Sequence, residues 1–499
     1  MSYSISKSVT KNTALMLTGQ LMTGVSGFVL LMFLPRYLGS AGYGELYLAI
    51  SIQTIFQYLI DFGGAYHVTK EIARDKERAS EIVTHSAILR IGIWALSMVL
   101  IFALCGVARY SASTILLVVV LGVSNLWVSI TSLLRFSFQA FEDMKYPTIG
   151  AVIERSFLVI AVVPAMLLGA TELAVVILMA VSTVLSFAYS AKYAKRMFRF
   201  SFVVRRASLK PMFHDAIPYF LWSLFGVIYY RIDAVLLSFM VPVVVIGWYG
   251  AAYRFFDILM FVPSIVAQAL YPILSRLSKS EVNSMLVTSQ KSLEYLLMVS
   301  IPIAVGLLFF SGQIIDLLFG AAQYAPSVIV LQIFAVGIII VYVDFIIGNT
   351  VLALDKEKAW AFVGFGAIFV NVGINYLLIS LFQSRFGNGG IGAAIATDLT
   401  ELFVMLCGIA LLPKGIFSRR VFTVAVKCVA AGVIMSSVII GFDFLDLSVF
   451  LSAPAAILVY IMALTLLATI EAGEIDSVLR TFVPKSVRNF IFVRKGINA

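Results

Sequence analysis

Long, nearly uncharged apolar runs recur along the whole chain, and they leave very few ways to fold. About fourteen segments of roughly 20 residues can be marked by hydropathy, each long enough for a helix to cross about 30 Å of hydrocarbon. They include 13 to 35, 43 to 63, 215 to 240 and 243 to 267. In lipid every backbone N–H and C=O must be bonded within the protein, so a spanning chain is either helical or a closed barrel. A barrel would show short alternating segments instead of continuous apolar ones. The expectation is an all-α integral membrane protein with about 14 transmembrane helices. With 61% hydrophobic residues, 12% charged residues and a mean hydropathy of +1.02, a string of soluble domains is excluded.

The net charge of +10 suits nucleic acid on its face, but the placement of the basic residues argues against that partner. With the amino terminus set in the cytoplasm, the even-numbered loops and both tails hold 28 of the 36 Lys and Arg residues. The odd-numbered loops hold three, Arg36, Arg109 and Arg385. This asymmetry predicts both termini on the cytoplasmic side and an even helix count. Membrane lipids are then the expected partner of the basic surface, and nucleic acid is not.

The strongly basic stretch from Lys192 to Lys210 follows the sixth span and divides the chain. The expected organisation is a six-helix lobe over 1–194, a basic cytoplasmic linker over 195–214, a second six-helix lobe over 215–412, helices 13 and 14 over 413–471, and a basic tail over 472–499. A shift of 206 residues places Tyr43-Gly44 on Tyr249-Gly250, Tyr47 on Tyr253 and Lys70 on Arg276. Because six is even, such a repeat is parallel, with its pseudo-two-fold along the membrane normal. The tail mixes basic residues with Phe482, Phe490 and Phe492, the pattern of a segment lying on a membrane surface. No cleavable signal peptide is expected, and the first span reads as a retained anchor.

Several motifs carry no chemistry. Cys105, Cys407 and Cys428 fall in apolar spans without paired spacing, and His67, His85 and His214 make no metal signature, so neither disulfide nor metal site is expected. "GNGGIG" from Gly387 to Gly392 reads as a turn and helix start, since no strand precedes it as a dinucleotide site requires. Connections are short, with no room for a catalytic domain.

Charges inside the spans are the informative residues, because each costs roughly 2.5 to 3.5 kcal/mol on insertion scales and must face a partner or a wet interior. Arg231 and Asp233 sit two apart in the seventh span, about 200° from each other around a helix, so each needs a partner elsewhere. Arg254 and Asp257 share a face of the eighth span, and Asp398 and Glu401 share one in the twelfth and offer a negative patch for Arg231 or Arg254. Arg90, Asn125, Asp344, Asn371 and Asn375 are further polar groups in spans, whereas Glu154 and Arg155 lie near enough to an edge to snorkel. Structural ion pairing competes with function for all of these. An arginine in a wet cavity is suited to a phosphate, which its planar guanidinium can hold in bidentate fashion.

The stretches "PRYLGSAGYGELYLA" (35 to 49), "YLIDFGGAYHVTKEIARD" (58 to 75), "YYRIDAVLLS" (229 to 238), "IGWYGAAYRFFDIL" (246 to 259), "LYPILSRL" (270 to 277) and "GIGAAIATDLTE" (390 to 401) together resemble the polysaccharide transporters, the O-antigen flippases of Wzx type, within the multidrug/oligosaccharidyl-lipid/polysaccharide exporter superfamily. The resemblance covers roughly residues 10 to 410. It implies two lobes around a cavity that opens alternately to either side. It implies a polyprenyl-pyrophosphate-linked oligosaccharide as substrate, moved from the inner to the outer leaflet of the cell membrane for export of surface polysaccharide such as the O-antigen of lipopolysaccharide. Such a protein is a transporter and not an enzyme. It holds no cofactor, couples to a proton or sodium gradient, and works beside a polysaccharide polymerase or glycosyltransferases. Carried onto this chain, the cavity residues are Arg231, Asp233, Arg254 and Asp257. The repeat puts Val25 and Gly27 where Arg231 and Asp233 stand, so the first lobe would contribute through others, such as Arg90 or Asn125. Two alternatives stay open: a cation-coupled drug or metabolite exporter of the same superfamily, and a membrane-embedded enzyme acting on the same lipid.

Overall fold

The structure, a computed structural model, describes residues 2–62, 64–197, 206–445 and 448–469. The basic tail over 472–499 and its expected seat on the membrane surface therefore lie outside the described residues, as does the middle of the linker. The described residues form sixteen α-helices and no strand. In order they are α1 (Ser2–Asp61), α2 (Gly64–Arg74), α3 (Ala79–Ala108), α4 (Ala112–Ala140), α5 (Lys145–Leu167), α6 (Glu172–Met197), α7 (Arg206–Met240), α8 (Val243–Leu259), α9 (Phe261–Ser280), α10 (Val282–Phe319), α11 (Ala321–Tyr324), α12 (Ser327–Ala353), α13 (Glu357–Phe386), α14 (Gly389–Leu411), α15 (Arg419–Phe444) and α16 (Val449–Leu466).

Twelve stretches among the described residues are long and apolar enough to cross a bilayer. One of them, Met22–Asp61, runs 40 residues and contains two of the expected spans, 13 to 35 and 43 to 63 in part. It turns at Gly39, whose φ of 70° and ψ of 174° interrupt the helix in a region that a side chain would strain. The seventh expected span, 215 to 240, lies within α7 and outside those twelve. The eighth differs from expectation in its boundaries. Its helix stops at Leu259, and α9 restarts at Phe261 and carries the apolar stretch on to Ser280. Pro263 accounts for the break, because it has no N–H to bond to the Leu259 carbonyl four residues back.

Local chemistry sets the other ends. Ser111 and Ser418 cap α4 and α15, their hydroxyls accepting from the N–H groups of Thr114 and Val421. Gly387 closes α13 in the left-handed region. Asn388 then accepts from the Gly390 N–H and donates to the Pro326 carbonyl. "GNGGIG" is thus a helix stop and a helix start.

The surface is the inverse of a soluble protein's. Phe444, Leu466, Leu168 and Val107 are exposed, while Asn125, Asn371, Asn375, Ser129 and Ser186 are completely buried. Lipid solvates the first set, and the polar groups turn inward to find partners.

The chain divides into two compact units. The first comprises 1–259, 314–334 and 356–407; the second comprises 260–313, 335–355 and 408–499. At the centre of the first unit α1 and α8 cross with no side chains between their backbones. A Cβ on Gly247 would overlap the Ser40 carbonyl, one on Gly44 would overlap the Val243 carbonyl, and one on Gly250 would enter the Tyr47 ring. Beside the crossing, Tyr47 lies 6.2 Å from Tyr43, 6.3 Å from Tyr249 and 6.5 Å from Tyr253, measured between ring centroids. Tyr47 and Tyr253, which the 206-residue shift matches in sequence, are therefore neighbours across the crossing. Gly392 continues the theme, since a Cβ there would strike the Leu378 backbone of α13. In the second unit α15 lays Gly432 against Ile301 and Val305 of α10. Tyr460 of α16 donates to the Met298 carbonyl, and Arg420 pairs with the buried Glu294 at 3.1 Å.

The crossing yields a prediction. Gly247→Val is expected to destabilise the protein by about 3 kcal/mol or more, because the obstructing atom is backbone and cannot rotate away. The unfolding temperature in detergent checks this, with exposed Gly441→Val, which meets nothing nearby, as the neutral control.

Candidate functional site

Arg231 projects from α7 toward α8, where its Nη2 donates to Asp257 Oδ2 at 3.0 Å. The same oxygen lies 3.8 Å from Arg254 Nη1, one turn back along α8. Two guanidinium groups therefore share one carboxylate oxygen, and the cluster carries a net single positive charge. The Arg231 guanidinium also sits 5.4 Å from the centre of the Tyr253 ring, a cation–π contact. Side-chain exposures of 19% for Arg231, 25% for Asp257 and 35% for Arg254 leave the cluster half-open. Tyr43 and Tyr47 of α1 lie within electrostatic reach of all three charges. Tyr253 donates to the Tyr230 carbonyl at 2.9 Å and fixes the α7–α8 hairpin that aligns them.

Asp233 has different partners. It is 2% exposed and accepts from the Tyr249 hydroxyl at 2.9 Å, the Thr397 hydroxyl at 2.7 Å and the Asn375 side-chain amide at 2.8 Å. One carboxylate thereby ties α7 to α8, α13 and α14 through neutral donors. The Asn375 nitrogen also meets the Asn371 side-chain oxygen at 2.9 Å, and the Asn375 side-chain oxygen is buried without a hydrogen bond.

The other expected residues are elsewhere in the unit. Arg90, 2% exposed, donates to Asp61 Oδ1 at 2.8 Å, to the Ser129 and Ser132 hydroxyls and to the Asp61 carbonyl. Ser129 and Ser132 in turn donate to Asp61, which closes the network. Asn125 is fully buried and exchanges hydrogen bonds with Gln53, accepting from its side chain at 2.7 Å and donating to its carbonyl at 3.1 Å. Asp398 and Glu401 are buried one turn apart on α14, and Arg231 and Arg254 both pair with Asp257. Glu154, read as snorkelling, is held by Arg135 at 2.9 Å, whereas Arg155 is exposed.

Of the eight expected residues the structure gathers three, Arg231, Arg254 and Asp257, into one charged cluster. Asp233 stands behind it as a tie between helices. Asp61 and the tyrosines 43, 47 and 253 were not among the expected site residues. A signal for Asp61 existed, since Arg90 has no acid three or four residues away on its own helix and so required one from another. The tyrosines carried a signal too, as the repeat-matched positions.

An open pair of arginines on a tyrosine wall, in the middle of a helical bundle, can hold a multiply charged anion. The sequence profile of a family described as "Polysaccharide biosynthesis protein" matches residues 9–278, over half of the chain and the whole of this cluster. The chain belongs to this family. As a polysaccharide biosynthesis protein it has curated relatives in Haloferax volcanii. It is 26% identical over 241 residues to the probable low-salt glycan biosynthesis flippase Agl15, covering 47% of this chain and 50% of that one. It is 25% identical over 224 residues to the probable flippase AglR, covering 42% and 44%. The chain thus matches about half the length of these relatives. Among solved structures it superposes on the lipid II flippase MurJ in an inward closed conformation with a TM-score of 0.71, at 16% identity, over 95% of this chain and 99% of that one. An inward-facing multidrug resistance MATE family transporter follows at a TM-score of 0.64 and 15% identity, covering 79% and 94%. At these identities the likenesses show the fold, and the fold is that of MurJ and the MATE transporters.

The Arg90 network gives a second prediction. Asp61→Leu leaves Arg90 buried and without its counter-charge and is expected to cost about 3 kcal/mol, the low end for a broken buried pair because Asp61 is partly exposed. The double variant Arg90→Met with Asp61→Leu should recover most of that loss. Unfolding temperatures of the single and double variants check the cycle.

Proposed function

We propose that this family member is a flippase that carries a polyprenyl-pyrophosphate-linked oligosaccharide from the inner to the outer leaflet by alternating access, for export of a surface polysaccharide. The observation that carries this reading is the Arg231–Asp257–Arg254 cluster, two partly exposed guanidinium groups that share one carboxylate beside the α1–α8 tyrosines. Arginine forks suit the two phosphates of the lipid carrier, and the polyprenyl tail stays in the bilayer that solvates the exposed apolar surface. Binding there biases the bundle toward the conformation that grips the anion better, since a ligand shifts an equilibrium only by its differential affinity. The names of the Haloferax relatives, both probable flippases, support the same reading. A drug exporter selective for cations would need a net acidic site, whereas this cluster is net basic. Both termini lie in the cytoplasm in this proposal, the membrane is the cell membrane, and a polysaccharide polymerase or glycosyltransferases act on the same lipid before and after transport.

The coupling cation fits Asp233. Its partners among the described residues are neutral, and an Asn375 oxygen without a hydrogen bond is buried beside it. A carboxylate with carboxamide and hydroxyl oxygens is a donor set for a proton or for a hard cation such as sodium. Asp233, Asn371, Asn375 and Thr397 would hold the ion and, through it, the join of α7 to α13 and α14.

Two measurements test these assignments. Arg254→Ala and Arg231→Ala are each expected to lower flipping by about tenfold or more while the protein still inserts and folds, read as leaflet accessibility of a labelled lipid-linked glycan in vesicles. Full transport by a stable Arg254→Ala protein would remove that residue from the site. For Asp233, sodium in place of choline should raise the unfolding temperature of the parent protein and not of Asp233→Asn. Equal responses to sodium in both would reject Asp233 as the sodium site.

A further inference from the structure

Asp257 presents a difficulty for any site meant to bind an anion, because it puts a negative charge where the phosphates should go. Both arginines address the same oxygen, Oδ2, at 3.0 and 3.8 Å, and only one nitrogen of Arg231 is used. The group sits on α8 beside Arg254 and one turn beyond Tyr253, on a helix locked to α1 by the glycine crossing. The pairs are partly exposed, and the Arg254 contact at 3.8 Å is the looser of the two, so an incoming anion replaces the carboxylate partner by partner and leaves neither guanidinium bare. Arg231 has a second, uncharged support in the Tyr253 ring, which remains when the carboxylate leaves.

We propose that Asp257 is a built-in stand-in for phosphate, a specificity-determining counter-ion that keeps Arg231 and Arg254 together when the site holds no substrate and yields only to a ligand with at least two negative charges. This inference rests on the flippase reading above and names a property of the same site. Its physical basis is the solvent. The bilayer around the protein is filled with phosphodiester headgroups carrying a single negative charge. Two bare arginines would fill with them. With Asp257 in place the cluster holds one net positive charge, and a monoanion gains little by displacing a carboxylate of its own charge. A pyrophosphate diester brings two charges and can satisfy both guanidiniums at once, with the carboxylate pushed aside to one of them. Specificity here comes from a repulsive element set against the abundant competitor. When the substrate leaves, Asp257 closes on Arg231 again and resets the site.

The test compares two probes on the purified full-length protein in detergent, inorganic pyrophosphate and the monoanion dimethyl phosphate, by calorimetry. The parent protein should bind pyrophosphate and scarcely bind dimethyl phosphate. In Asp257→Asn both should bind more tightly, and dimethyl phosphate should gain at least about tenfold and become a measurable ligand, because it no longer has to displace a carboxylate of its own charge. Asp257→Glu, which keeps the charge, should keep the parent preference. Should Asp257→Asn not fold, Asp257→Ser takes its place. If pyrophosphate binding depends on Arg231 yet dimethyl phosphate binds no better in the neutral variants, or both probes weaken, Asp257 is merely structural and this inference fails alone. If Arg231→Ala binds pyrophosphate as the parent does, the arginine site itself is wrong and the flippase reading loses its support.

Discussion

A charge in hydrocarbon must find its counter-charge or its hydrogen bonds inside the protein, and in this chain that requirement decides which helices meet. Asp61 draws the end of α1 onto Arg90 of α3 and the serines of α4. Asp233 draws α7 onto α8, α13 and α14. Asp257 draws α8 onto α7 through Arg231. Greasy contacts alone would not choose among these arrangements, because lipid tails solvate leucine as well as a neighbouring helix does. The polar ties supply the register, and the small residues permit the close approach that lets them form.

That division explains how the three charged groups differ in use. The Arg90 network joins Asp61, Ser129 and Ser132 around one carboxylate oxygen and a buried guanidinium, and it reads as architecture. The Asp233 tie is sealed from solvent but built from neutral donors, which leaves its own charge to be balanced by something small. The Arg231 cluster is half-open and has more positive than negative charge, which leaves room for something large. Under the proposed function the three are a scaffold, a seat for the driving ion and a seat for the cargo.

Much of this was legible in the sequence. Hydropathy gave the helical class, and the apolar context of Arg231, Asp233, Arg254 and Asp257 marked them as residues needing an explanation. The two-residue spacing of Arg231 and Asp233 correctly implied separate partners, because helix geometry alone sends them apart. Partner identity was harder. Nothing local distinguishes Asp257 from the Asp398 and Glu401 pair as an answer to Arg231, since the choice depends on which helices the tertiary fold brings together. Asp61 went unmarked because it stands at a helix end, where a charge is ordinary, until the fold brings it against a buried arginine. The break after Leu259 was missed for a similar reason: Pro263 lies in an apolar run that hydropathy treats as continuous.

Gly39 bends α1 one residue before the Ser40 carbonyl that packs on Gly247. Before the bend, the Pro35 carbonyl accepts from Tyr324 and the Tyr37 hydroxyl donates to the Ala170 carbonyl. Beyond it, Ser40 and Gly44 meet Gly247 and Val243 of α8 backbone to backbone, and the Tyr47 ring fills the space over Gly250. The crossing makes α8 and this half of α1 one stiff pair, and Arg254 and Asp257 ride on it at a fixed distance from the joint. Any rearrangement that leaves the glycine crossing intact carries Arg254 and Asp257 along with the second half of α1 as a single piece.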